Sequence, residues 1–415
     1  MSQSVIVIGG GVVGTACAYY LNKAGWNVTI VEQKTIGSGA SHANCGLVCP
    51  SHVLPLAGPG VMGKTLRAML SPNSPFSIKP RFDPALWKWL LQFTGYCNQQ
   101  AMLSAGHAIQ SLLNESRRLY DELFAEEALD AEWQTEGLLF PFLTEAAMNH
   151  YQHTDELLGQ HFGMHAVRYS GDELVKLEPA LKPGLAGGWH YEGDAHLRPD
   201  KLMSSWRRLL ESRGVVIREQ CEFRGFASLN QKATRAITNQ GDIEAGTFIV
   251  ATGAWTPLLN QQLGCNILIQ PGKGYSMTMP RPKVCPKIPL IFEEHRVAVT
   301  PMESGYRLGS IMEFAGYDTS INPRRLQMLK SGAAHYLDEP TAEPVQEEWY
   351  GWRPMTPNSL PVIDRPKVYE NVMVAAGHNM LGLSMATGTG RLVTDLLTGC
   401  KPCIDPKPFA LLSNA

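Results

Sequence analysis

Three things are scarce in this chain of 415 residues: charge, patterned cysteine and unbroken apolar sequence. Charged residues make up 18% and the formal net charge is −2, with no block of one sign. This composition excludes a basic nucleic-acid surface and a charged tail. Polar residues interrupt every apolar stretch before it reaches bilayer length, so no membrane span is expected. The nine cysteines are an odd number and are widely scattered, unlike a disulfide framework. Cys400 and Cys403 form a C-x-x-C with no second pair at zinc-like spacing, so they are read as surface thiols and no metal site is expected. Repeats and low-complexity tracts are also missing. Met1–Ser4 has no basic leader pattern. A cytoplasmic protein is expected, with peripheral contact at the inner face of the cell membrane left open.

What is present begins with a hydrophobic content of 44%, enough for a large core and for two or more domains. Val5–Ile8 reads as a buried strand, Gly9–Gly14 as a glycine turn, Thr15–Ala24 as a helix and Val28–Val31 as a second strand. This is a compact β-α-β unit. Gly9-Gly10-Gly11-Val12-Val13-Gly14 fits G-x-G-x-x-G, and Glu32 follows at the end of the second strand. In that context the glycines let a pyrophosphate approach a helix N-terminus, and the acid suits ribose hydroxyls. The stretch from Ile36 to Pro59 is a long loop of Gly, Ser, Pro, Cys and His, a length uncommon unless the loop holds something. A proline-rich linker is expected over Pro72–Pro84, and a long helical region over Pro84–Glu127. Strands are expected at Gln270–Met279, Arg296–Thr300, Tyr306–Leu308 and Glu347–Trp352. The strand–glycine–helix pattern returns at the end, with Val372–Ala375, Gly377–Gly382 and Ser384–Leu397.

The β-α-β unit alone does not choose between FAD and NAD. Four further segments do so by resemblance. Gly39-Ala40-Ser41 with Asn44 and Gly46 resembles the first flavin loop of the D-amino acid oxidase superfamily. Ala251-Thr252-Gly253-Ala254-Trp255 is similar to its A-x-G-x-W turn, and Gly351–Pro357 to its G-x-R-P-x-T segment. Gly377–Ser384 resembles its second flavin loop. The order is the family's, and the segments span almost the whole chain. Within the superfamily, Pro271–Ser276, Tyr306–Ser310 with Glu313, and Leu86–Leu90 resemble segments of bacterial D-amino acid dehydrogenases, including the branch that takes D-proline or D-hydroxyproline. The chain departs from its relatives at His42, Cys45, Ser310, Asn358 and Met380.

The resemblance implies an α/β (α+β overall) fold. A Rossmann-like FAD domain would comprise residues 1–85, 185–265 and 345–415, and an antiparallel-sheet substrate domain 86–184 and 266–344. FAD would meet Gly9, Gly11, Val12, Val13, Gly14, Glu32 and Gln33, then Ala40, Ser41, Asn44, Gly46 and Leu47 of the first loop. Phe223 stands where the family usually has a valine whose backbone meets adenine. Ala251, Gly253, Gly382, Leu383 and Ser384 would complete the set. The implied reaction is oxidative deamination of a D-amino or D-imino acid, with electrons passed to a quinone or another acceptor that is not oxygen. Two readings stand beside it: an oxygen-using amine or amino acid oxidase, and a non-catalytic flavoprotein subunit. Arginine's planar fork suits a carboxylate, and the family's R-P segment makes Arg353 the expected clamp. Tyr275 is expected to donate to the same carboxylate. Arg307 is a second cation or a sheet ion pair, and His378 a ring contact or a turn cap.

Overall fold

The computed structural model describes residues 3–61, 63, 76–79 and 81–411. Two sheets organise them. The first has six strands in the order Val362–Asp364, Val372–Ala376, Thr247–Val250, Ser4–Ile8, Asn27–Val31 and Val216–Arg218. All pairings are parallel except that of the Val362–Asp364 edge strand. Such a sheet is covered on both faces, which explains the unbroken apolar run at its centre. Val5 and Val7 pack into the core that holds the first and last helices, while Ile6 and Ile8 pack into a second core with Phe248 and Val250. Successive strand residues face opposite ways.

The first helix, Val12–Lys23, starts ahead of the expected Thr15. Val12 and Val13 are β-branched and weak helix formers, but the crossover from the first strand leaves them no other course. The expected helix over Pro84–Glu127 is two helices, Pro84–Tyr96 and Gln99–Glu126. Asp83 accepts from Leu86 N and Asn98 from Ala101 N, caps worth ~1 kcal/mol each. The proline-rich stretch 72–84 lies partly outside the described residues. Within it, Phe76–Ile78 pairs parallel with Met312–Phe314.

The second sheet runs Glu347–Met355, Gln270–Met279, Gly305–Phe314, Val297–Met302, Leu290–Phe292, Leu138–Phe142, Gly187–Tyr191 and Val167–Ser170. It is antiparallel apart from the Leu290–Leu139 contact and the Phe76–Ile78 strand. The strands at 138–142 and 187–191 have no clear sequence signal, because Pro141 and the Gly187-Gly188 pair interrupt them. The segments expected in the nucleotide domain, 185–265 and 345–415, each open with a strand of this second sheet, Gly187–Tyr191 and Glu347–Met355. All nine cysteines are free thiols, with Cys400 exposed and Cys403 half-buried. Among the described residues, no helix is long and apolar enough to cross a membrane.

Candidate active site

The glycine turn is closed by contact. Gly9 sits at φ +110°, and a methyl group on it would lie 2.4 Å from Ala251 O. One on Gly14 would lie 2.0 Å from Gly9 O. The turn therefore needs glycine at both places. The helix that follows has Gly11 as its N-cap, with no acid in its first turn, so its positive end has no counter-charge of its own. That fits a pyrophosphate. Ser41 Oγ accepts from Val12 N at 2.9 Å, which ties the first flavin loop to this end. Glu32 accepts from Gly10 N at 2.8 Å and from Lys34 N at 2.9 Å. It thus braces the turn, and burial raises its pKa. Ala251 and Gly253 lie at the end of the neighbouring strand. Gln33 is exposed, and Val13, Ala40, Leu47 and Phe223 are half-buried. Ser384 Oγ donates to Leu47 O at 3.0 Å and accepts from Cys49 N at 3.2 Å, joining the two flavin loops. Gly382 and Leu383 precede the last helix, which starts at Ala386 rather than at the expected Ser384.

The first flavin loop lies across the second sheet, with one residue held by each of four adjacent strands. His42 Nε2 meets Glu347 Oε1 at 2.7 Å on the edge strand. Ser276 Oγ donates to Ala43 O at 2.7 Å from the next strand. Arg307 Nη1 donates to Asn44 O at 2.8 Å from the third, and Thr300 Oγ1 to Cys45 O at 2.6 Å from the fourth. Asn44 Oδ1 in turn accepts from Gly46 N at 2.8 Å. Sequence reasoning found this loop but not its four attachments, which lie more than 230 positions away along the chain.

Beside the loop, the same face of the sheet carries a patch rich in glycine. Gly274 pairs with Gly351, and Ser276 pairs with both Trp349 and Gly309. A methyl on Gly274 would lie 2.4 Å from Arg353 Nη1, one on Gly351 2.1 Å from the Trp349 ring, and one on Gly309 2.7 Å from Cys45 Sγ. Arg353, Trp349 and Cys45 therefore lie against glycines. Arg353 Nη1 donates to Ile311 O at 2.7 Å, and Nη2 reaches Ser310 O at 3.5 Å. Ser310 and Ile311 have φ of 131° and 59°, and the irregular backbone there turns both carbonyls toward the guanidinium. Neither Glu347 nor Glu348 pairs with Arg353; Glu347 is taken by His42. Arg353 is half-buried, and burial lowers its pKa from the ordinary 12.5. A planar cation fixed by backbone carbonyls, with donors to spare, can bind a carboxylate.

The other three expected side chains are engaged within the chain. Tyr275 is 2% exposed and donates to Glu313 Oε2 at 2.7 Å. It shares its surroundings with Lys273 and Tyr350, on the face of the sheet opposite Gly274 and Arg353, because neighbouring strand residues alternate. A cavity of about 520 Å³ lies on that reverse face, lined by Tyr275, Glu313, Lys79 and Arg325 among others. Arg307 is 1% exposed and bonds Thr278 and Asn44, with Asp200 at 3.5 Å. These contacts are those of the expected sheet ion pair. His378 Nε2 meets Thr389 Oγ1 at 2.9 Å inside the last helix, and burial pulls its pKa down to about 3. It stays neutral and packs against that helix.

Cys49, His52 and Asp194 bring donor atoms within 4.8 Å of one another. Asp194 accepts from Ser51 N at 3.0 Å and from Ser51 Oγ at 2.5 Å. Burial raises its pKa to about 7 and lowers that of His52 to about 4. Through these two bonds the carboxylate staples the loop at Ser51.

A family model described as FAD dependent oxidoreductase matches residues 4–396. The chain is 32% identical over 421 residues to a D-amino acid dehydrogenase of Granulibacter bethesdensis, covering 99% of each. It is 33% identical over 410 residues to one of Methylobacterium nodulans, covering 96% of each. Glycine oxidase of Geobacillus kaustophilus superposes with a TM-score of 0.78 at 22% identity, covering 100% of both chains. L-proline dehydrogenase of P. horikoshii gives 0.73 at 20%, covering 99% of this chain and 96% of its own. The glycine turn, the uncompensated helix end and the loop joined to it fit FAD, and the chain belongs to the family of FAD-dependent oxidoreductases.

Proposed function

We propose that this enzyme oxidises D-amino or D-imino acids and passes the electrons to a quinone or a similar acceptor rather than to oxygen. The observation that carries the reading is Arg353, spread over Gly274 beside Cys45 of the flavin loop. A carboxylate held there lies next to the loop that would hold the flavin ring. Bound FAD supplies the acceptor, N5, for the hydride that leaves the substrate α-carbon, and water hydrolyses the resulting imine to a keto acid and ammonia or, from a cyclic imino acid, to an amino-keto acid. The chain's own part is orientation. Arg353 fixes one end of the substrate, and the four attachments of residues 42–45 hold the cofactor loop at a set height above it. His378, buried and neutral, takes no proton at working pH. The division into a nucleotide domain and a substrate domain belongs to the same proposal.

Relatives named D-amino acid dehydrogenase support the non-oxygen acceptor. The helix Pro84–Tyr96 supports a membrane-surface location. It buries Leu86, Trp89 and Phe93 and leaves Trp87 60% and Leu91 74% exposed, beside Phe82 at 96%. Exposed aromatics clustered in this way suit an interface with lipid, where a quinone resides. The test is anaerobic mixing of the FAD-loaded protein with matched D- and L-amino acids, D-proline and cis-4-hydroxy-D-proline. Bleaching of the flavin by D-forms alone, followed by faster reoxidation with a soluble quinone than with oxygen, is expected. Bleaching by L-forms, or by none, contradicts the reading.

A further inference from the structure

The platform holds more than a carboxylate clamp. Gly274 and Gly351 are direct partners on neighbouring strands, so their α-carbons lie ~5 Å apart. Arg353 folds onto one of them and the indole of Trp349 onto the other, from opposite ends of the row. Guanidinium and indole edge therefore sit side by side. Trp349 is only half-buried. Among the described residues, the other charged groups that this face carries are engaged: Glu347 with His42, and Arg307 with Thr278, Asn44 and Asp200. The neighbouring row, from Trp349 through Ser276 to Gly309 and Ala298, adds no charge. A substrate whose carboxylate rests on Arg353 thus finds an apolar wall next to it and, among the described residues of this face, no free counter-charge.

Resting on the amino-acid reading above, we infer that Trp349 is a specificity-determining residue that selects substrates with an uncharged, compact or ring-shaped side chain. Such a group packs on the indole, which favours flat apolar partners. An acidic or basic side chain would lose its hydration there and gain no partner.

The test needs no turnover. The FAD-loaded protein is titrated with acetate, pyrrole-2-carboxylate and succinate, and binding is read from the flavin absorbance. Wild type is expected to bind the ring carboxylate roughly tenfold or more tightly than succinate. Trp349→Ala should lose most of that ratio while acetate binding is unchanged, and Trp349→Phe should keep part of it. An unchanged ratio in Trp349→Ala overturns the inference, as does succinate binding as well as the ring in wild type. If no carboxylate binds, the Arg353 clamp falls and the role of Trp349 falls with it. If carboxylates bind with the expected ratio but no D-amino acid bleaches the flavin, only the amino-acid reading fails.

Discussion

The two faces of the Gln270–Met279 strand differ more than their sequence suggests. Gly274 and Ser276 face the cofactor loop, one under Arg353 and the other holding Ala43 O. Lys273 and Tyr275 face the reverse, where the tyrosine is tied to Glu313 and the lysine lies beside two aromatic rings. Of this strand's own side chains, the lysine and the tyrosine are on the face without the proposed chemistry, and the working face carries Gly272, Gly274, Ser276 and Thr278. A bare sheet surface lets a long cation lie flat and leaves room above it for a ligand. A tyrosine at the same position would fill that room.

Substitutions on the two faces sharpen the contrast. The largest effect is expected from Arg353→Ala, which should keep FAD and lose about 2–5 kcal/mol of substrate binding and rate together, measured as kcat/KM for the preferred D-substrate. Next is Gly274→Ala. The three atoms nearest its methyl are all at the far end of the arginine, so the fold should hold while Arg353 is pushed aside. Flavin reduction should slow on the order of a hundredfold. Arg307→Met removes the bonds to Asn44 and Thr278. Its effect should appear as FAD retention roughly tenfold weaker on dialysis, with the reverse face undisturbed. Tyr275→Phe should cost ~1 kcal/mol in thermal unfolding and leave reduction within about twofold of wild type.

The smallest effect is that of pH on the loop. The hydrogen bond with Glu347 holds His42 above its ordinary 6.5, against the pull of burial. The same bond holds Glu347 below 4.5. The contribution of His42 is complete below 6.5 and is lost as pH rises through its raised value. That of Glu347 is complete above 4.5 and is lost as pH falls through its depressed value. The side chains are 38% and 35% exposed, so solvent screens the pair, and FAD retention should weaken by no more than about twofold on the alkaline side. Equilibrium dialysis across that range, with Glu347→Gln as the control, measures it.

The nucleotide end was legible because it is local. One strand, one glycine turn and one acid within residues 4–32 carry it, and the pattern repeats wherever a helix end meets a pyrophosphate. Arg353 was legible as a candidate through its family motif. The platform was not, because Gly274, Gly309 and Gly351 come from three strands and each alone reads as an ordinary interruption. The face of the sheet that Tyr275 takes was not legible either, for a related reason. Period-2 alternation says that residues 274 and 275 face apart, but nothing in the segment says which of them meets the cofactor. Asn98 was overlooked as a cap because it lies inside a long helical pattern.

The most direct test compares Gly274→Ala with Tyr275→Phe in one experiment: the anaerobic rate of flavin reduction by the preferred D-substrate at saturating FAD. The account predicts a large loss for the glycine variant and a rate near wild type for the tyrosine variant. The reverse order would place the chemistry on the other face of the sheet and contradict the assignment of Arg353.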